Sequence, residues 1–76
     1  MLEQRFEIGT RFWSRGKHPK LCTVVDVLRT YNSAGELVRL RYVAEHMGPL
    51  GHTITDRDVL HTSIAKRLAD AAPVNA

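Results

Sequence analysis

The sequence has few of the residues on which disulfide-linked and metal-binding domains depend. Its 76 residues include one cysteine, Cys22, so no disulfide can form within the chain. The four histidines and Cys22 do not have the spacing of the usual His/Cys metal motifs, and we expect no metal and no other cofactor. A lone free thiol is typical of a reducing compartment, which predicts a cytoplasmic protein.

Long apolar runs are also missing. Residues 1–7 alternate charged and apolar side chains, so neither a signal peptide nor a membrane span is expected. Acidic residues are missing from one long interval, because none lies between Glu7 and Asp26. That interval holds Arg11, Arg15, Lys17 and Lys20. The formal net charge of +3 is therefore concentrated in the first half of the chain, where it permits an acidic partner without requiring one.

Little in the sequence favours catalysis. A chain of 76 residues buries only roughly 60% of the surface that its unfolded form exposes, which leaves little room for an enclosed active site. Asp56 and Asp58 follow Thr55 in a pattern that caps a helical turn, and this explains both carboxylates. Cys22 lies in an apolar strand pattern, where a thiol is normally an inert small hydrophobe. We predict that the protein is not an enzyme.

The clearest pattern is a long β-hairpin over residues 21–45. Two segments rich in β-branched and aromatic residues flank the turn sequence Asn-Ser-Ala-Gly at 32–35. A four-residue loop would pair Tyr31 with Glu36 and place Val25 opposite Tyr42, with Asp26 opposite Arg41 on the other face. Both faces of segment 21–28 are apolar, which indicates a strand that bends between two sheets or is covered by the C-terminal helix or a second subunit.

The remaining segments predict shorter elements. Residues 5–8, 10–15 and 52–55 are strand candidates, and 16–20 is an exposed basic loop. We expect a single helical turn at 55–58 and a short helix that starts at Thr62 or Ser63 and ends at Pro73. The domain would then cover 1–72, with 73–76 as a flexible tail.

These elements predict a mainly β fold, a small barrel of about five antiparallel strands with a short C-terminal helix. The expected core has seven members, which are Phe12, Val25, Val27, Val38, Leu40, Tyr42 and Ile54. Three further apolar residues are expected to cover an open end of the barrel, namely Phe6, Ile64 and Leu68.

Four segments carry a resemblance to known proteins: GTRF at 9–12, TVVDV at 23–27, GELVRLRY at 35–42 and TDRDV at 55–59. Together they resemble SH3-like barrels of the Tudor and KOW type, in which a 3₁₀ turn precedes a final short strand. Residues 6–68 are also similar to small uncharacterised proteins of bacteriophages and other mobile elements. The resemblance implies a five-stranded barrel of phage or prophage origin and brings no activity with it. The clustered aromatic cage of Tudor domains has no counterpart here.

The basic residues suggest a binding module that contacts nucleic acid or a host nucleic-acid-handling protein. Phosphates would be contacted by Arg11, Arg15, Lys17, Lys20, Arg39 and Arg41, with Trp13 as a stacking or anchor residue. Alternatively, the basic loop only keeps the protein in solution and Trp13 fills the core.

The rival hypothesis is a protein-only interaction or inhibitor module without nucleic-acid contact. A homodimer would then form through an exposed apolar face of Val24, Leu28 and Val43. The loop around Met47 and Leu50 would either contact another protein or fold back to close the barrel.

Overall fold

The computed structural model describes residues 2–72 as one antiparallel sheet of five strands with one short helix. The elements are β1 (Arg11–Trp13), β2 (Leu21–Tyr31), β3 (Leu37–Met47), β4 (Thr53–Val59), α1 (His61–Lys66) and β5 (Leu68–Asp70). The strand order is β4-β3-β2-β1-β5, and the sheet is open because its edge strands β4 and β5 do not pair. The predicted mainly β fold with five antiparallel strands is confirmed. The predicted tail at 73–76 lies outside the described residues.

The hairpin of β2 and β3 is present, and its turn has a tighter form than the sequence predicted. The backbone of Asn32 pairs with that of Glu36 at 2.9 Å, which leaves a loop of three residues. The Asn32 side chain stabilises the loop by accepting hydrogen bonds from the N–H groups of Ala34 and Glu36. Gly35 has a φ of +80°, a conformation that residues with a side chain rarely adopt. The predicted pairing of Tyr31 with Glu36 was wrong, and Tyr31 lies opposite Leu37.

A β-bulge at Val25 decides which residues of β2 face the core. Val24 lies opposite Ala44 and Asp26 lies opposite Val43, so β2 has one extra residue between these two pairs. The bulge changes which side chains of β2 point to the core. Cys22 and Val24, which precede the bulge, are buried. This is the bend that the two apolar faces of segment 21–28 indicated.

The core therefore differs from the expected set. Phe12, Leu40, Tyr42 and Ile64 are buried as predicted, and Phe6 and Val27 pack against them. The observed core also includes four residues from outside the expected set, namely Cys22, Val24, Ala44 and Val59.

Three residues from the expected sets are exposed: Val38, Ile54 and Leu68. Val38 is the extra residue of a second bulge near the hairpin turn, and 52% of its surface is accessible. Ile54 pairs with His46 near the end of β3, and Leu68 lies in an edge strand. Each of the three lies where the sheet extends past the buried cluster or ends.

The segment after Gly51 was largely mispredicted. Residues 55–58 form part of strand β4 and not a helical turn, because the long strand β3 offers a free edge to which Thr53–Val59 pairs. The helix begins after Leu60 without a side-chain cap and has only six residues. The chain then forms β5, since residues 68–70 pair with the free edge of β1. No strand forms at residues 5–8.

The buried side chain of Tyr42 fixes the N-terminal segment to the sheet. Its hydroxyl oxygen accepts hydrogen bonds from the N–H groups of Arg5 at 2.8 Å and Phe6 at 3.3 Å. The rings of Phe6 and Tyr42 meet edge to face with centroids 6.0 Å apart. Residues far apart in the sequence are thus held together by one phenol group.

We expect Tyr42→Phe to reduce the free energy of unfolding by about 1–2 kcal/mol, because it leaves two partly buried N–H groups without an acceptor. The matched control is Tyr31→Phe, whose hydroxyl is on an exposed residue and should contribute almost nothing. Thermal unfolding of both variants tests this, and about 1 kcal/mol corresponds to a shift of roughly 4–8 °C in Tm. Equal melting temperatures for the two variants would contradict the prediction.

Among residues 2–72, no helix is long and apolar enough to cross a membrane.

Candidate nucleic-acid interface and adjoining cleft

The loop of residues 14–20, called the basic loop below, has a defined shape. Its two ends are joined because Ser14 N–H donates to the Lys20 carbonyl at 2.9 Å, and Lys20 N–H donates to Ser14 Oγ at 2.8 Å. Gly16 has a φ of +107°, which lets the chain turn sharply within the loop. Arg15, Lys17 and Lys20 are exposed, and no described carboxylate forms an ion pair with them. The loop therefore exposes three positively charged side chains, and hydrogen bonds hold its two ends together.

Trp13 lies beside the basic loop at the end of β1. Its neighbour Phe12 is buried, so the alternation of the strand places the Trp13 side chain on the opposite face, where 45% of its surface is accessible. Two 2.8 Å hydrogen bonds hold its backbone, one from Trp13 N–H to the Arg67 carbonyl and one from Arg67 Nε to the Trp13 carbonyl. An exposed indole on a rigid backbone can present a stacking surface to a planar group. Trp13 does not fill the core, as one sequence interpretation had it.

Three of the six predicted phosphate contacts are engaged in ion pairs. Arg11 pairs with Asp70 of β5. Arg39 and Arg41 both pair with Asp58 of β4, at 3.3 Å and 3.0 Å. The predicted pairing of Arg41 with Asp26 was wrong, because Asp26 lies opposite Val43 and accepts a hydrogen bond from Val27 N–H. These arginines are less available to a phosphate than the charge count suggested.

The predicted site residues fall into two groups. Arg11, Trp13 and the three cations of the basic loop lie at the start of β2, where β1 pairs with it. Arg41 is in β3 and lies opposite Leu28, which is further along β2. At about 3.3 Å per residue, the interval from Lys20 to Leu28 spans roughly 25 Å of extended strand. Arg39 and Arg41 instead line a shallow hollow of about 230 Å³ with Arg57 and Asp58.

A cleft of about 300 Å³ adjoins the basic loop on the core side of the sheet. Its floor is apolar and continuous with the core, and it consists of Phe12, Cys22, Ala44 and Val59. Polar side chains surround this floor, and they are Ser14, Arg15, His46, Asp56, Asp58, Ser63 and Arg67. The cleft thus has β4 on one side and Ser63 of α1 with Arg67 on the other, and Ser14 and Arg15 belong to both the cleft and the basic loop.

The electrostatics of the cleft floor show which charges face it. Burial raises the pKa of the Cys22 thiol above its ordinary value, the carboxylate of Asp56 raises this pKa further, and the guanidinium of Arg67 opposes the rise. Asp56 and Arg67 are therefore close enough to the floor to act on the same thiol. A thiol held in its neutral form is a poor nucleophile.

The three residues of the predicted dimer surface do not form an exposed face. Val24 is fully buried and Val43 is buried, while Leu28 is 39% exposed. The bulge at Val25 is the physical reason, since it directs Val24 into the core. Met47 and Leu50 are exposed, so their loop does not fold back over the sheet.

The cleft itself was missed by the sequence analysis. Its polar residues come from two strands, one helix, the basic loop and Arg67, and no local spacing links Arg15 to His46 or Asp56. The one available signal was the alternation in TITDRDV at 53–59, which is compatible with one strand, whereas we predicted a strand only over 52–55 and a helix cap over 55–58.

The chain matches no protein-family model, and comparisons with curated proteins and with solved structures likewise give no match. Within residues 2–72, no three His, Cys, Asp or Glu side chains are grouped so that they would hold a metal ion.

Proposed function

We propose that this protein is a non-enzymatic module that binds single-stranded nucleic acid through Trp13 and the basic loop. The observation that carries the proposal is an exposed indole, with its backbone held by Arg67, beside three cations that form no ion pair with any carboxylate of residues 2–72. Stacking on an aromatic face together with phosphate contacts is the usual chemistry of single-strand binding. Bound chains would follow the loop from Arg15 to Lys20.

The architecture supports this assignment at the level of the scaffold. The two bulges of β2 and β3 and a third irregularity between β3 and β4 bend the sheet. We infer that it curls toward an SH3-like barrel, with the cleft at the gap between β4 and the α1–β5 segment. An accessory role in a bacteriophage or mobile element fits a small binding module and is part of the proposal.

A protein-only function is the second candidate, and the exposed apolar residues Met47 and Leu50 favour it. Their loop contains Gly48, Pro49 and Gly51, and it projects no charge. Salt separates the two candidates, because an apolar interface holds at a salt concentration that weakens phosphate contacts.

The test is the binding of a fluorescent 12-nucleotide oligo-dT by anisotropy at several salt concentrations. Three phosphate contacts predict a slope of about −2 in log K against log salt, since single strands give roughly −0.7 per contact. Trp13→Ala should weaken binding by roughly tenfold, and Trp13→Phe should retain most of it. No binding of the oligonucleotide at low salt, or a slope near zero, would refute the proposal.

A further inference from the structure

We infer that the cleft receives one unstacked nucleobase that carries an exocyclic amino group, as adenine, cytosine and guanine do. The inference rests on the proposed function and deepens it, because it assigns a base preference to a surface that otherwise binds any single strand. The juxtaposition that carries it is an apolar floor surrounded by both hydrogen-bond donors and acceptors, next to the basic loop.

The charges around the cleft favour a polar ligand that carries both donors and acceptors. Arg15 and Arg67 supply donors and Asp56 supplies an acceptor, whereas Asp58 is already paired with Arg39 and Arg41. A free phosphate would meet the carboxylate of Asp56, and a cation would meet two guanidinium groups. A nucleobase is neutral and flat, and its edge carries donors and acceptors together, which matches this lining.

Asp56 is the residue that would select the base. Asp58 is already engaged by Arg39 and Arg41, whereas Asp56 accepts one hydrogen bond, from Asp58 N–H through Oδ1. Asp56 lies opposite Ala44, so both residues belong to the core face, on which the cleft floor lies. An ionised carboxylate only accepts hydrogen bonds, and an amino group is the matching donor on a base. Thymine and uracil lack that amino group.

The position of the cleft relative to the basic loop supports the same occupant. Arg15 lines the cleft and belongs to the loop, so a strand whose phosphates contact Lys17 and Lys20 passes the cleft mouth. Trp13 is on the opposite face of β1 from Phe12, which forms part of the cleft floor. The indole and the cleft are therefore separated by β1, and a base in the cleft is not the immediate neighbour of a base that stacks on the indole.

The experiment compares 12-nucleotide oligo-dT with oligonucleotides of the same length in which one central thymidine is replaced by dC or dA. We expect the wild-type protein to bind one or both substituted strands about tenfold more tightly than oligo-dT. Asp56→Ala removes the acceptor, so it should abolish this preference and leave the affinity for oligo-dT within about twofold. Asp26→Ala, on an exposed residue of β2, makes the same change of charge and should keep the preference.

Equal affinities for all strands in the wild-type protein, or a preference that persists in Asp56→Ala, would overturn the inference while leaving single-strand binding in place. If no strand binds at all, the proposed function fails and the base preference fails with it.

Discussion

Replacing Val24 with aspartate is expected to abolish the cooperative unfolding transition of this protein, whereas the same replacement at Val38 should preserve it. Val24 has no accessible surface, and Val38 is 52% exposed. A chain of 76 residues has a free energy of unfolding of about 4–11 kcal/mol. Burying an unpaired carboxylate costs several kcal/mol, and the lost burial of valine adds about 2 kcal/mol. Most of the stability is therefore removed at Val24.

The two valines make a matched pair, because the sequence analysis placed Val38 in the core and Val24 on the surface. Far-UV circular dichroism during heating measures both variants. At Val38 the cost is limited to a loss of strand propensity, of the order of 1 kcal/mol. A folded Val24→Asp variant beside an unfolded Val38→Asp variant would show that the bulge at Val25 does not exist.

The double replacement Lys17→Glu/Lys20→Glu is expected to lower the affinity for oligo-dT by roughly 100-fold. Each lost charge-assisted contact to a phosphate accounts for about 1.5 kcal/mol, and every 1.4 kcal/mol is about tenfold in affinity. Both side chains are exposed in the basic loop, and Lys20 contributes only backbone atoms to the bonds that close it. The melting temperature should therefore change little. Anisotropy and thermal unfolding of the same sample measure both effects.

The control is Arg5→Glu/Arg29→Glu, which changes the formal charge by the same amount. Arg29 is on β2 opposite Leu40 and bonds to Gln4, far along the strand from the basic loop. We expect this variant to bind oligo-dT nearly as the wild type does at moderate salt, because Arg29 lies roughly 30 Å of extended strand from Lys20 and the backbone of Arg5 is held at Tyr42, outside the loop. A similar loss of affinity in both double variants would mean that net charge, and not the basic loop, governs binding.

The core shows why sequence reasoning succeeded for some residues and failed for others. Leu40 and Tyr42 lie on either side of the polar Arg41, and Phe12 follows the polar Arg11, so their facing was correctly predicted. Val24 and Val38 were assigned to the wrong side because the pairing register was assumed to run without interruption from the turn. A bulge adds one residue and exchanges the faces beyond it, and the two apolar faces of segment 21–28 indicated a bend without marking the residue at which it occurs.

The candidate site divides in the same way. The basic loop was predicted because glycine, proline and uninterrupted positive charge are local features of residues 14–20. The pairing of Arg39 and Arg41 with Asp58 was not predicted, since Asp58 becomes their neighbour only when β4 pairs with β3. The open cleft depends on an even longer-range arrangement, in which residues from β1 to Arg67 meet around one floor.

The sequence by itself determined the β character of the chain, the position of the hairpin turn and the cationic loop, because these follow from properties of adjacent residues. Strand composition, the turn-forming Asn32 and Gly35, and the absence of acidic residues between Glu7 and Asp26 are all of this kind. Only the tertiary structure decided the bulges, the strand β5, the partners of the arginines and the cleft. Each of these depends on which distant backbone edge is free to accept another strand, and that is a property of the folded sheet.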